Sequence, residues 1–152
     1  MKDLQKAKDN LKSFNLITKE CSELYRLIAL KNNISDSAFW ILYEIRINDC
    51  KLTQSELCKY VFLPKQTINS ALKILEDKGI LTLTSSDLNR KNKLISLTNQ
   101  GIELAKKIVD EIIESELTIF DSIDPSKIDI FLEVYYEYVE KLRKRSLDKY
   151  EN

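Results

Sequence analysis

Residues 53–81 read TQSELCKYVFLPKQTINSALKILEDKGIL, and two helices with a tight break between them follow from the order of residue types. Thr53-Gln-Ser-Glu56 has the form of a capping box, in which the threonine hydroxyl accepts from a free backbone N–H and the glutamate bonds back to the cap. That opens a short helix to about Tyr60. Pro64 suits the first turn of a second helix, where its missing N–H costs nothing, and Gly79 suits the left-handed residue that ends it. A few residues between two helices is helix-turn-helix spacing. In the second helix Ile68, Ala71, Leu72 and Leu75 fall at i, i+3, i+4 and i+7 and therefore face a core. The outward set is Lys65, Gln66, Asn69, Ser70 and Lys73. Glutamine and asparagine each donate and accept toward an adenine edge, and lysine reaches guanine acceptors or phosphate. On the helix alone, an ordinary solvated face fits equally well.

The next stretch shifts that balance. Ile80–Thr84 and Leu94–Thr98 are β-rich and flank the polar run Ser85–Lys93, which predicts a hairpin with a basic tip. Asn89, Arg90, Lys91, Asn92 and Lys93 place three positive charges among amides on that tip. Arg90 or Lys91 can enter a minor groove while the others hold phosphate. Helix, turn, reading helix and basic hairpin, in that order, form a winged helix-turn-helix.

Outward from this centre, Leu4, Ala7, Leu11, Phe14, Thr18, Cys21, Tyr25 and Ile28 alternate by three and four along a long first helix. Ser35 or Asp36 caps a second helix burying Ala38, Ile41, Leu42 and Ile45, with Phe39, Trp40 and Tyr43 widening its apolar face. Asn48–Leu52 is a break. Thr98 caps a fifth helix to about Ser122, and Asp124-Pro125 opens a sixth with Ile128, Phe131, Leu132, Tyr135, Val139 and Leu142 at helical spacing. The expected fold class is mainly α with a small β hairpin. Residues 1–152 are expected to form a single domain: about 35–98 the winged helix, and about 1–31 and 99–148 the helices outside it.

Composition supports this and removes other classes. Only 2 Gly and 2 Pro occur in 152 residues, too little turn chemistry for a many-stranded sheet. Lys+Arg and Asp+Glu both total 24, yet residues 51–98 hold eight positive against four negative side chains, a local excess that favours an anionic partner. With no His and with Cys21, Cys50 and Cys58 in no CxxC pair, neither a metal site, nor a cofactor, nor a hydrolytic triad is expected. Reduced cysteines, a charged first segment and no apolar run near ~20 residues predict a cytoplasmic chain without a membrane span. Glu133 and Glu137 lie one helical turn apart, but nothing accompanies them that would make a catalytic pair, and no enzyme activity is expected.

The order of elements, the run from Thr53 to Leu81 and the hairpin ending NRKNKLISLTNQG resemble the MarR family of bacterial transcription regulators, specifically over about Leu52 to Gly101. The resemblance implies an obligate homodimer whose first, fifth and sixth helices intertwine, set on a pseudo-palindromic DNA operator. It implies repression, relieved when a small aromatic or amphipathic ligand enters a cleft between the dimer helices and the winged domain. By position it makes Lys65, Gln66, Thr67, Asn69, Ser70 and Lys73 the reading-helix residues, with Thr53 and Gln54 near phosphate and Asn89, Arg90, Lys91 and Lys93 on the wing. The family's wing carries acidic residues where Ser86 and Asn89 stand here, and an Arg where Lys91 stands; Asp87 is the nearest replacement for the missing acid. Tyr25, Phe39, Trp40 and Tyr43 are the aromatic candidates for a ligand cleft, against a plain core role. Two other readings stay open: a winged helix that contacts only proteins, and a thiol-based redox sensor acting through Cys21.

Overall fold

The computed structural model describes residues 3–50, 52–86 and 89–147, with backbone only at residues 86, 89–91 and 147. Its elements are α1 (Leu4–Lys31), α2 (Asp36–Ile47), α3 (Gln54–Tyr60), α4 (Lys65–Asp77), β1 (Leu81–Ser86), β2 (Asn89–Leu97), α5 (Asn99–Ala105), a π-turn (Lys106–Asp110), α6 (Glu111–Ser122) and α7 (Pro125–Leu147). They divide into two compact units, residues 1–113 and 114–152.

In the first unit, one core gathers the inward faces read from the periodicity. Ile41, Leu42 and Ile45 of α2, Leu57 of α3, Ile68, Leu72 and Leu75 of α4, Leu81 and Ile95 of the strands and Val109 of the π-turn are buried together. Each such aliphatic side chain removed from water contributes about 1.5–3 kcal/mol.

The helix ends follow from local chemistry. Ser35, not Asp36, caps α2, its hydroxyl accepting from the Ala38 N–H. Thr98 caps α5 and also donates to the Gly79 carbonyl at 2.6 Å, which ties that helix to the base of the hairpin. Three helices end in the same left-handed motif: at α4 the Ile80 N–H bonds the Leu75 carbonyl and the Gly79 N–H that of Glu76. Gly79 takes φ 68°, and in the absence of further glycines Asn33 (φ 55°) and Asp49 (φ 54°) hold the equivalent positions after α1 and α2. Asparagine and aspartate tolerate this region best after glycine.

Three expectations shift. Pro64 is the N-cap of α4 and not its first helical residue, because its ψ of 135° is still extended. The polar run Ser85–Lys93 is not a long loop: the strands continue into it, pairing Leu81 with Leu97 through Ser85 with Lys93, and then Ser86 with Asn89. The register irregularity after Ser85 absorbs residues 90–92 of β2. The fifth helix is also interrupted by the π-turn.

In the second unit, the Asp124 carboxylate accepts from the Ser126 N–H at the start of α7, as the Asp-Pro pair predicts. Phe131 and Tyr135 stack one turn apart on that helix, with ring centroids 5.9 Å apart.

Candidate nucleic-acid interface

Helix α4 buries Ile68, Ala71, Leu72 and Leu75 and leaves Lys65, Gln66, Thr67, Asn69, Ser70 and Lys73 exposed. At 100° per residue, Gln66, Ser70 and Lys73 point directly away from the core, while Thr67 and Asn69 lie on opposite flanks. On one flank Thr67 and Ser70, with Ser35 and Ser37 at the start of α2, line an open groove of about 500 Å³ floored by Ala38 and Ala71. On the other flank α3 approaches, and the Gln54 Nε2 donates to the Asn69 Oδ1 at 2.7 Å. Gln54, Ser55, Cys58 and Lys65 line a smaller hollow there, about 260 Å³. The outward face of α4 thus has a polar shoulder on each side.

The α3 N-terminus is occupied from within. Thr53 and Glu56 complete the capping box, the Thr53 hydroxyl accepting from the Glu56 N–H and donating to the Glu56 carboxylate at 2.7 Å. Hydrogen bonds from the Thr53 N–H and hydroxyl hold the Glu56 carboxyl below the ordinary glutamate range. The Ser55 N–H donates to the Asn92 Oδ1 of the wing at 3.2 Å. Sequence spacing gave no signal for this contact, since 37 residues separate the pair.

The wing is held at its base as well. Thr53 bridges Leu94, and the Ile95 N–H donates to the Leu52 carbonyl at 3.0 Å, so the segment before α3 adds a rudimentary third strand. The Leu83 N–H donates to the Glu76 carboxylate of α4. Lys93 is half-buried in the ladder opposite Ser85 and not on a free tip. The side chains of Asn89, Arg90 and Lys91, and all of Asp87, lie outside the described residues.

The four aromatic candidates do converge. Trp40 packs on Tyr25 (4.8 Å between centroids), Phe39 (5.3 Å) and Tyr43 (5.5 Å). Phe39 is wholly buried and belongs to the core, while Tyr25, Trp40 and Tyr43 are partly buried against it.

Cys21 is exposed on α1 in the single chain, although it lies in the apolar stripe. Cys50 lies beside a basic side chain, its sulfur accepting from the Arg46 Nη1 at 3.7 Å. Arg46 mainly serves another partner: its Nε and Nη2 donate to the two Asp110 oxygens at 2.7 and 2.6 Å. That pair raises the guanidinium pKa further above its ordinary value and ties α2 to the π-turn. Neither residue was singled out from sequence.

A model of the MarR family matches residues 32–91, the span from before α2 into β2. The transcriptional regulator SarZ of Staphylococcus aureus is 28% identical over 135 residues, covering 84% of this chain and 89% of SarZ. Over residues 32–91, and along most of SarZ, this chain is similar to the winged-helix transcriptional regulators of the MarR family. Solved structures share the fold. A MarR-family regulator from Listeria monocytogenes, crystallised with a 26-mer DNA, aligns with TM-score 0.69 and 21% identity over 100% of this chain and 97% of its own. A MarR protein of Staphylococcus aureus, in complex with salicylate and kanamycin, aligns with TM-score 0.67 and 22% identity over 93% and 95%. No helix among the described residues is long and apolar enough to cross a membrane.

Proposed function

We propose that this chain is a MarR-family regulator and acts in the cytoplasm as a homodimeric, non-catalytic repressor of transcription, reading a pseudo-palindromic operator with α4 and gripping its backbone with the wing. The observation that carries this reading is the exposed amide and lysine face of α4, Gln66, Asn69, Ser70 and Lys73, with the wing fastened beside it through Asn92. The DNA-bound Listeria relative of the same fold supports it. Gln66→Ala should cost about 1 to 3 kcal/mol on the operator and hardly change binding to random duplex, because a base contact is lost and phosphate contacts are not. Arg90→Ala with Lys91→Ala should weaken binding to all duplexes and flatten the salt slope by about one unit per lost phosphate contact. Competition between operator and random duplex at two salt concentrations separates the two. Equal losses on both duplexes for both variants would refute the assignment.

Relief by a small aromatic or amphipathic ligand is part of the same proposal. The partly buried rings of Tyr25, Trp40 and Tyr43 offer the surface on which such a ligand stacks. Trp40 is the sole tryptophan, so titration with benzoate should change its fluorescence and release the operator together. Release without a change at Trp40 would move the ligand elsewhere.

A further inference from the structure

Gln54 was expected to sit near phosphate, but the geometry around it fits a different task. Three backbone donors at the start of α3 already have acceptors inside the protein: the Ser55 N–H bonds Asn92, the Glu56 N–H bonds the Thr53 hydroxyl, and the Leu57 N–H bonds the Thr53 carbonyl. The Glu56 carboxylate stands in the same turn and repels an anion. The Gln54 side chain is directed sideways, onto the reading helix, where its Nε2 donates to the Asn69 Oδ1 at 2.7 Å. We infer that Gln54 is a specificity-determining positioning residue, which fixes the amide of Asn69 so that its Nδ2 donors face the DNA.

The reasoning is stereochemical. An exposed asparagine on a helix samples several rotamers, and its amide can turn over to present either oxygen or nitrogen. A glutamine donor on the Asn69 oxygen selects one rotamer and one orientation, with no ordering left to be done on binding. The Asn69 Nδ2 then meets bases that carry an acceptor on the major-groove edge: N7 of a purine, O6 of guanine or O4 of thymine. Cytosine offers only a donor there and is rejected. The inference rests on the reading that α4 addresses base edges, and adds the second residue through which one of its contacts is set.

The test uses the full chain and a set of operators carrying each base at the position facing Asn69, located as the position whose discrimination Asn69→Ala abolishes. Gln54→Met keeps the side-chain length and removes the donor. It should flatten discrimination against cytosine at that one position by on the order of tenfold. Affinity for random duplex, the salt slope and discrimination at the other positions should stay as in the parent. Gln54→Met and Asn69→Ala together should lose no more discrimination than Asn69→Ala alone. If Gln54→Met weakens operator and random duplex alike, Gln54 is a backbone contact and the inference is overturned while the reading face stands. If Asn69→Ala leaves every position unchanged, the inference falls, and the reading face is decided separately by Gln66→Ala.

Discussion

Phe62, in the turn between α3 and α4, has φ 51° and a side chain 86% exposed. A residue with a β-carbon in that region is strained by roughly 1–2 kcal/mol relative to glycine, and a ring in water recovers little of it. Phe62→Gly should therefore stabilise the fold by about 0.5–1 kcal/mol after the added freedom of the unfolded chain is subtracted. A rise in Tm without a change in secondary structure is the expected result; a fall would show that the ring makes contacts that outweigh the strain. Gly101 is the opposite case. A β-carbon there would lie 1.9 Å from the Ile80 carbonyl oxygen, so Gly101→Ala should cost about 3 kcal/mol, measured by denaturant unfolding. At this scale the sequence shows what periodicity and cap chemistry encode. The buried set Ile68, Ala71, Leu72 and Leu75, the capping box at Thr53 and the left-handed Gly79 were all legible. Asn33 and Asp49 as left-handed caps were not, because such positions usually signal themselves by glycine and this chain has only 2.

Among the elements, the hairpin is present as expected, but its strands run further than the sequence indicates. Polar composition marked Ser85–Lys93 as a loop, but an exposed two-stranded ladder needs no apolar alternation to keep pairing, and β2 runs back to Asn89. The contacts that mount the elements on one another were equally invisible, because they join residues far apart in sequence. Arg46 and Asp110 are 64 residues apart, with side chains only 25% and 23% exposed. Removing either partner leaves a partly buried charge, so Arg46→Ala or Asp110→Ala should each cost about 1–2 kcal/mol in thermal unfolding. The double variant should cost less than their sum, and strict additivity would mean that the pair does not couple α2 to the π-turn. At the start of α3 the capping box depends on pH. The Glu56 carboxyl is depressed by its bonds from Thr53, so its contribution is present above the unfolded value and lost as pH falls through the lower folded value. Stability of the parent relative to Glu56→Gln should fall across that acid window and stay level above it, as read from denaturant midpoints at stepped pH. A difference that stays constant through the window would detach Glu56 from the cap.

At the scale of the whole molecule, a single chain leaves large apolar side chains in water. Helix α1 exposes Leu16 (67%) and Ile17 (65%), outside the stripe picked out by its periodicity, and α7 exposes Ile130, Val134 and Tyr136 (70%). Monomeric proteins rarely leave this much apolar surface contiguous and open, so each helix calls for a cover, and the proposed homodimer supplies a second copy of the same surfaces. An operator with two half-sites then binds both reading helices at once, and the second contact is made at high effective concentration. Ending the chain after Asp121 should remove much of that surface, shift sedimentation toward a monomer and lower operator affinity far more than random-duplex affinity. Ile130→Glu with Val134→Glu in the full chain is the companion test, since it keeps the length and places charges where a partner's apolar side chains would pack. Both variants should retain the Trp40 fluorescence of an intact first unit, because its core is drawn from α1 through the π-turn. A truncated chain that still sediments as a tight dimer would place the interface elsewhere, and a charged double variant that remains dimeric would exclude that face of α7 from it.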